Sequence, residues 1–315
     1  MKVLIITIVI VSFSLLLPAQ QTLEGAQKLA LRQGENKIDF YLNDMYFTSY
    51  LHSSELAKPV LFPIHTPSGI PVTRGYPLEP VNGESTDHPH HTGLWFSFGD
   101  VNGEDFWGAT SPPPQIKHIE TITEEPLKVR LAWISKSGKT ILEELRTMRF
   151  SYQHHKFCID FTSELTAKDT SALFTDTKEG FFAIRVADWL NEEHSGTYTN
   201  AQGLQKETNV WGKRSEWMQL EGHKNGKTIG IVIFNHPESF NYPTYWMARG
   251  YGLFSANPLG QRTYQEFHKL REPKGIDLRL ERGEKAIFKF LVVVYENIII
   301  TQTDLNELFT EYSSQ

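Results

Sequence analysis

The sequence predicts an all-β protein, a large antiparallel β-sandwich finished by a C-terminal helix. Three observations carry this. Short segments alternate apolar and polar side chains with a period of two, as in residues 157–165, where Phe157, Ile159 and Phe161 share one face and Asp160, Thr162 and Glu164 the other. Turn pairs such as Ser137-Gly138, Asn225-Gly226 and Arg282-Gly283 separate these segments. A helical stripe is convincing only at the end of the chain.

In chain order, the first element is an export leader. Met1-Lys2 opens an uncharged run from Val3 to Leu17, followed by Pro18-Ala19. A basic start, a short apolar stretch and a small residue describe a secretory signal peptide over 1–19, with cleavage after Ala19. The alternative is an uncleaved anchor, but the run is shorter than the ~20 residues of a spanning helix. Residues 20–315 are then expected as one periplasmic or secreted sandwich domain, with no membrane span after cleavage. The Pro run at 112–114 is a stiff loop and a possible boundary within it.

Strands are expected at 37–42, 129–134, 141–150, 157–165, 181–186, 217–220, 228–234, 276–280 and 286–295. At the end, Thr303 can cap a helix in which Leu305, Leu308, Phe309 and Tyr312 form one stripe for docking onto a sheet.

Composition excludes several classes. The chain has 31 basic and 37 acidic side chains, a net charge of −6. Loss of Lys2 with the leader makes it −7. Without a basic block, it has no footprint for nucleic acid. A hydrophobic content of 40% and a charged content of 22% are those of a folded globular chain. The single Cys158 excludes an internal disulfide framework and any Cys-rich metal site. No Walker loop, no Gly-x-Gly-x-x-Gly opening a helix, no Gly-x-Ser-x-Gly elbow and no His-Glu-x-x-His is present.

The densest polar run is Asp87-His88-Pro89-His90-His91, which holds three of the 12 His residues. Imidazole titrates near neutral pH, so His88 and His90 are candidate acid/base groups, with Asp87 to orient one ring. His88 and His90 also form a His-x-His pair, a pattern found in metal-binding jelly rolls, although no Glu follows within the next few residues. Structural hydrogen bonding is the third reading. In an extended segment His88 and His90 point one way and His91 the other. Thr92 to Asp100 reads as a strand leaving this run. Asp100, Glu104 and Asp105 around Asn102-Gly103 read as a solvated turn, with Trp107 beyond it.

The second rich segment runs from His236 through Tyr245, Trp246, Arg249 and Tyr251 to Asn257. Flat aromatic faces pack on sugar C–H surfaces, while Arg and Asn bond hydroxyls. Trp246, Arg249, Tyr251, Asn257, Trp107 and His91 are therefore candidate substrate-binding residues, and His236, at a strand end, a further catalytic candidate. An aromatic core corner is the alternative. Arg185, within the apolar strand 181–186, needs an acidic partner if buried, Glu179 or another.

The run from Asp87 to Phe96, continuing through Gly99 to Trp107, resembles the signature of a bacterial PmoA-like family of unknown function, also labelled methane oxygenase PmoA. Stretches 178–187, 211–215, 236–246 and 256–260 resemble the same family, so the resemblance covers roughly residues 35–300. It implies an exported bacterial protein of carbohydrate-degrading species. The β pattern with a His cluster is also similar to galactose-mutarotase-like supersandwiches, and less so to jelly rolls. Together these imply a protein that acts on or binds a carbohydrate, with a small-molecule or glycan ligand. The alternatives are a copper- or iron-dependent oxygenase, as the family label implies, and a non-catalytic sugar-binding module.

Overall fold

The computed structural model describes residues 28–108 and 110–315, so the expected leader lies outside the described residues. The chain begins as an antiparallel meander, β1 (Leu29–Gln33), β2 (Lys37–Leu42), β3 (Met45–Leu51), β4 (Val60–Leu61) and β5 (Leu94–Phe98). It then crosses to a second sheet with β6 (Gln115–Glu124), β7 (Leu127–Ile134), β8 (Thr140–Gln153) and β9 (Lys156–Ala167). Next come β10 (Ala172–Phe174), β11 (Gly180–Arg185), β12 (Thr197–Asn200), α1 (Glu207–Val210), β13 (Trp217–Lys224) and β14 (Lys227–Asn235). The chain ends with β15 (Tyr245–Ala248), β16 (Leu253–Asn257), α2 (Gln261–Phe267), β17 (Leu278–Leu280), β18 (Lys285–Glu296) and α3 (Gln302–Ser313).

Among the described residues these strands form two eight-stranded antiparallel sheets. Their orders are β1-β2-β3-β4-β5-β11-β16-β15 and β12-β13-β14-β18-β9-β8-β7-β6, with β10 and β17 as a small separate pair. The expected all-β antiparallel architecture with a terminal helix is therefore what the chain adopts. Among the described residues, no helix is long and apolar enough to cross a membrane.

Alternation explains how the sheets face each other. On β2, Ile38, Phe40 and Leu42 point inward, and on β9 so do Phe157, Ile159, Phe161 and Leu165. Phenyl rings meet across the gap: Phe40 with Phe150 at 3.9 Å between ring centres, Phe182 with Phe290 at 4.5 Å and Phe181 with Phe288 at 4.7 Å. Each such pair contributes about 0.5–1.5 kcal/mol beyond its buried area. One ion pair sits in this core: Glu144 accepts from Arg146, Trp133 and Ser163. A buried carboxylate is tolerated only with its acceptor sites filled in this way.

Each sheet also buries part of its outer face. On the second sheet, Trp217, Val232, Phe234, Val293 and Tyr295 receive Leu305 and Tyr312 of α3. The cap of α3 is Thr301, in a capping box with Asp304, and not the expected Thr303. Cys158 packs beside this patch, where burial pushes its thiol up to about 11, away from thiolate chemistry. On the first sheet, Val60, Trp95, Ala183, Tyr245, Met247 and Leu253 lie outward and are covered by Phe62, Trp107, Trp211 and Tyr264. The His cluster rests on this outer aromatic layer.

Candidate functional site

The segment before β5 is a turn and not an extended strand. His88 has φ +42°, and the His91 amide donates back to the His88 carbonyl at 3.0 Å. Gly93, at φ +59°, then passes so close to β4 that a Cβ would lie 2.4 Å from the Leu61 carbonyl oxygen. Only glycine fits there, and it fixes how the turn enters β5.

The consequence corrects the expected alternation of the three histidines. His91 does not face away from His88 and His90; the turn brings all three rings together. His88 stacks on His91 at 4.8 Å and 3° between planes, and His90 meets His91 edge-on at 4.4 Å. Tyr251 covers the other face of His88 at 5.2 Å and 1°, and Trp95 lies behind His91 at 5.5 Å. His88 is thus held in a four-ring stack, Tyr251–His88–His91–Trp95, yet its side chain remains 43% exposed.

Asp87 fixes the remaining freedom of the His88 ring. Its Oδ2 lies 2.5 Å from His88 Nδ1, while Oδ1 accepts from Arg74 Nη1 at 2.5 Å and Arg185 Nη2 at 2.6 Å. Both guanidiniums are buried. Partial burial raises the Asp87 carboxyl, but the His88 hydrogen bond and the charges of Arg185 and Arg74 outweigh it and hold the group below the usual range. An ionised carboxylate only accepts, so His88 Nδ1 carries the proton toward Asp87 and the neutral ring has its lone pair on Nε2. Arg74 also donates to the carbonyls of His88 and His91, and Ser85 bonds Asp188 through both its amide and hydroxyl. Arg185 lies 4.7 Å from the Tyr251 ring centre.

His90 is half-buried, and burial, with the charge of Lys58, pushes its ring down to about 4. Burial and the neighbouring His90 and His88 push His91 lower still. Both are neutral at pH 7.

The other expected site residues divide clearly. Tyr251 belongs to the site. His91 and Trp107 lie beneath it; Trp107 is fully buried against His91 and Trp95 and forms a floor, not a binding surface. Trp246 does not form a sugar surface. Tyr245 and Met247 take the outward positions of β15, so Trp246 points into the inter-sheet core and donates to the Ser215 carbonyl. Asn257 is sealed under α2, where it donates to the Thr177 carbonyl and accepts from the Leu259 amide. Arg249 pairs with Glu207 at 3.2 Å and lies over Trp211. His236 does not join the cluster: the end of β14 is on the second sheet, where His236 packs edge-on against Tyr312 of α3. Its Nδ1 there accepts from the Glu238 amide. The acid that Arg185 requires is Asp87; Glu179 bonds Lys178 instead.

Arg74, Lys58, Ser85 and Asp188 were not indicated by the sequence. Arg74 and Lys58 lie in irregular stretches with no periodicity to mark them as buried. The signal that was available is Arg185, a charge inside an apolar strand.

A divalent metal does not fit the cluster as it stands. Among the described residues, no three His, Cys, Asp or Glu side chains are grouped to hold one. His88 Nδ1 is committed to Asp87, and His88 and His91 present their faces to each other, not their nitrogens.

No curated protein matches the chain. Among solved structures, a polysaccharide lyase is 11% identical with a TM-score of 0.32, covering 90% of this chain and 34% of the lyase chain. This chain therefore spans about a third of that lyase's length. The Slr1438 protein from Synechocystis sp. PCC 6803 is 10% identical with a TM-score of 0.33, covering 86% and 92% of the two chains. A TPR-domain containing protein from Parabacteroides distasonis is 10% identical with a TM-score of 0.32, covering 87% and 48%. A family of unknown function, DUF6807, matches residues 37–310, and the chain belongs to it.

Proposed function

We propose that the chain is an exported carbohydrate-active protein in which His88, oriented by Asp87, transfers a proton to or from a sugar. The observation that carries this reading is the Asp87–His88 pair. A carboxylate anchored by two buried guanidiniums fixes the tautomer of a half-exposed imidazole whose Nε2 is left for a ligand. Tyr251 flanks His88, and burial raises its phenol to about 12, so it stays protonated and can donate to a sugar oxygen. His90, neutral at pH 7, is the second imidazole within reach.

The test is a turnover screen on glycans with the wild-type chain and His88→Ala. The variant is expected to lose about 10²–10⁴-fold in turnover while remaining folded under the assay conditions. Full activity in His88→Ala, or loss of the fold, would remove the acid/base role. Glycan affinity without turnover, surviving His88→Ala but lost in Tyr251→Ala, would make the chain a binding module. A stoichiometric metal that disappears in the His88/His90 double variant would replace the reading with a metal-dependent oxygenase.

A further inference from the structure

Beside the dyad lies a cavity of about 350 Å³, within the range of small-ligand pockets. Leu56, Val60, Leu78 and Pro89 give it apolar walls, Lys58 and His90 share its buried polar side, and the exposed Glu55 also lines it. Gly108, at φ +101°, borders Lys58 and His90 there without a side chain; a Cβ would lie 3.4 Å from Lys58 Nζ.

Lys58 is unusual for a lysine. It is 4% exposed, and its Nζ donates to the carbonyls of Trp107 at 2.7 Å and His90 at 3.3 Å, 5.5 Å from the Trp95 ring centre. Among the described residues, no carboxylate lies within ion-pair distance of it. Asp105 is the acid whose charge reaches it, and only from further away. Buried ammonium groups are normally paired with an acid. An ammonium has three N–H groups, and two acceptors account for two of them.

We propose that this cavity binds the carboxylate of an acidic sugar, a uronic acid, with the Lys58 ammonium as its counter-charge and its third N–H as a donor. The inference rests on the carbohydrate reading of the neighbouring dyad and names its substrate class. A single cation with one free donor suits a monoanion. A phosphate monoester, with close to two charges near pH 8, would leave one unpaired beside a single ammonium, and the Thr92 hydroxyl on the same wall already donates to the Pro89 carbonyl.

The linkage is specific. Burial pushes the Lys58 amine down to about 7, with Asp105 partly offsetting this. Near pH 8 the free amine is therefore largely neutral, and a bound carboxylate draws a proton onto it.

Calorimetric titration near pH 8, in two buffers of different ionisation enthalpy, tests this with methyl glycosides of glucuronic and galacturonic acid and their neutral counterparts. Methyl glycosides have no free carbonyl, so imine formation cannot imitate binding. At least one uronide is expected to bind about tenfold or more tightly than its neutral twin, with uptake of up to one proton. Lys58→Met should erase both the preference and the uptake. Lys58→Arg should keep the preference without the uptake, because guanidinium does not titrate there. The wild-type titrations stand alone if a variant fails to fold. Equal or tighter binding of both neutral sugars overturns the inference, as does a preference that survives in Lys58→Met. If neutral sugars bind and glycans are turned over, only this inference falls. If no sugar binds and no glycan is turned over, the carbohydrate reading falls with it.

Discussion

Asp87 and His88 are adjacent in sequence but stand in opposite energetic positions. Asp87 is the counter-charge of two buried guanidiniums, while His88 is the group that Asp87 orients. Removing the acid as Asp87→Ala leaves Arg74 and Arg185 buried against each other's charge. Breaking a buried pair costs about 3–5 kcal/mol, and because Asp87 is itself 39% exposed, the low end of that range, about 3 kcal/mol, is expected. His88→Ala removes a half-exposed ring together with its stacking on Tyr251 and His91 and its bond to Asp87, and should cost less, about 1–2 kcal/mol. Denaturant unfolding of the two variants separates these outcomes, and an Asp87→Ala protein as stable as wild type would contradict the electrostatic role given to it. At this scale the sequence was readable where polar residues crowd together, as at 87–91. It was silent about Arg74 and Lys58, because a lone cation in a loop looks the same whether it is solvated or buried.

Legibility at the level of elements follows burial. Long strands that bury one face keep a legible period of two: β2 and β9 lie where alternation places them, and the terminal stripe is α3, whereas β12 alternates over only four residues and does not stand out. β3 was missed because consecutive residues are buried on both faces, and β6 because it is an exposed polar edge. The same two-sided burial makes the aromatic segment ambiguous in sequence. Around Trp246, both faces of β15 are covered by aromatic residues, so composition could not say which ring faces a ligand. The docking of α3 provides a test that is independent of the site. Thr301→Ala removes the hydroxyl of the capping box and should cost about 1 kcal/mol. Leu305→Ala, in the patch with Trp217 and Val293, should cost about 2–5 kcal/mol. Because α3 covers the second sheet and the dyad lies on the first, turnover measured well below the unfolding midpoint should be unchanged in both. A fall in turnover that tracks neither loss of folded protein nor temperature would show that α3 and the site are coupled.

Over the whole molecule, the depressed imidazoles and the buried amine set how stability depends on pH. Burial holds His118 down to about 4, as it does His90, and it also depresses His91 and His52. His52 and His118 pack with tilted rings at 4.3 Å where β3 and β6, strands of different sheets, come together, and Tyr50 of β3 bonds His118. Unfolded, each imidazole titrates near 6.5. Between about pH 4 and 6.5 the unfolded chain therefore binds protons that the folded chain refuses. Stability from these groups is fully present above about pH 6.5 and is lost as the pH falls. Lys58 acts with the same sign at higher pH: about 7 when folded against about 10.4 unfolded, so its contribution grows across that interval. Asp160, Asp176 and Glu84, raised by burial, oppose the acid limb in part. Tyr46 and Tyr251, raised to about 12 by burial, close the window from above, since the unfolded phenols ionise near pH 10 while the folded ones do not. The unfolding midpoint should therefore peak between about pH 7 and 10, on the alkaline side of the usual range. Lys58→Met should flatten the rise from about pH 7 to 10 without touching the acid limb. A midpoint that peaks near pH 5 would mean that these groups are solvated in the folded chain, and the aromatic floor beneath the site would then not be the dry layer that holds His88 in place.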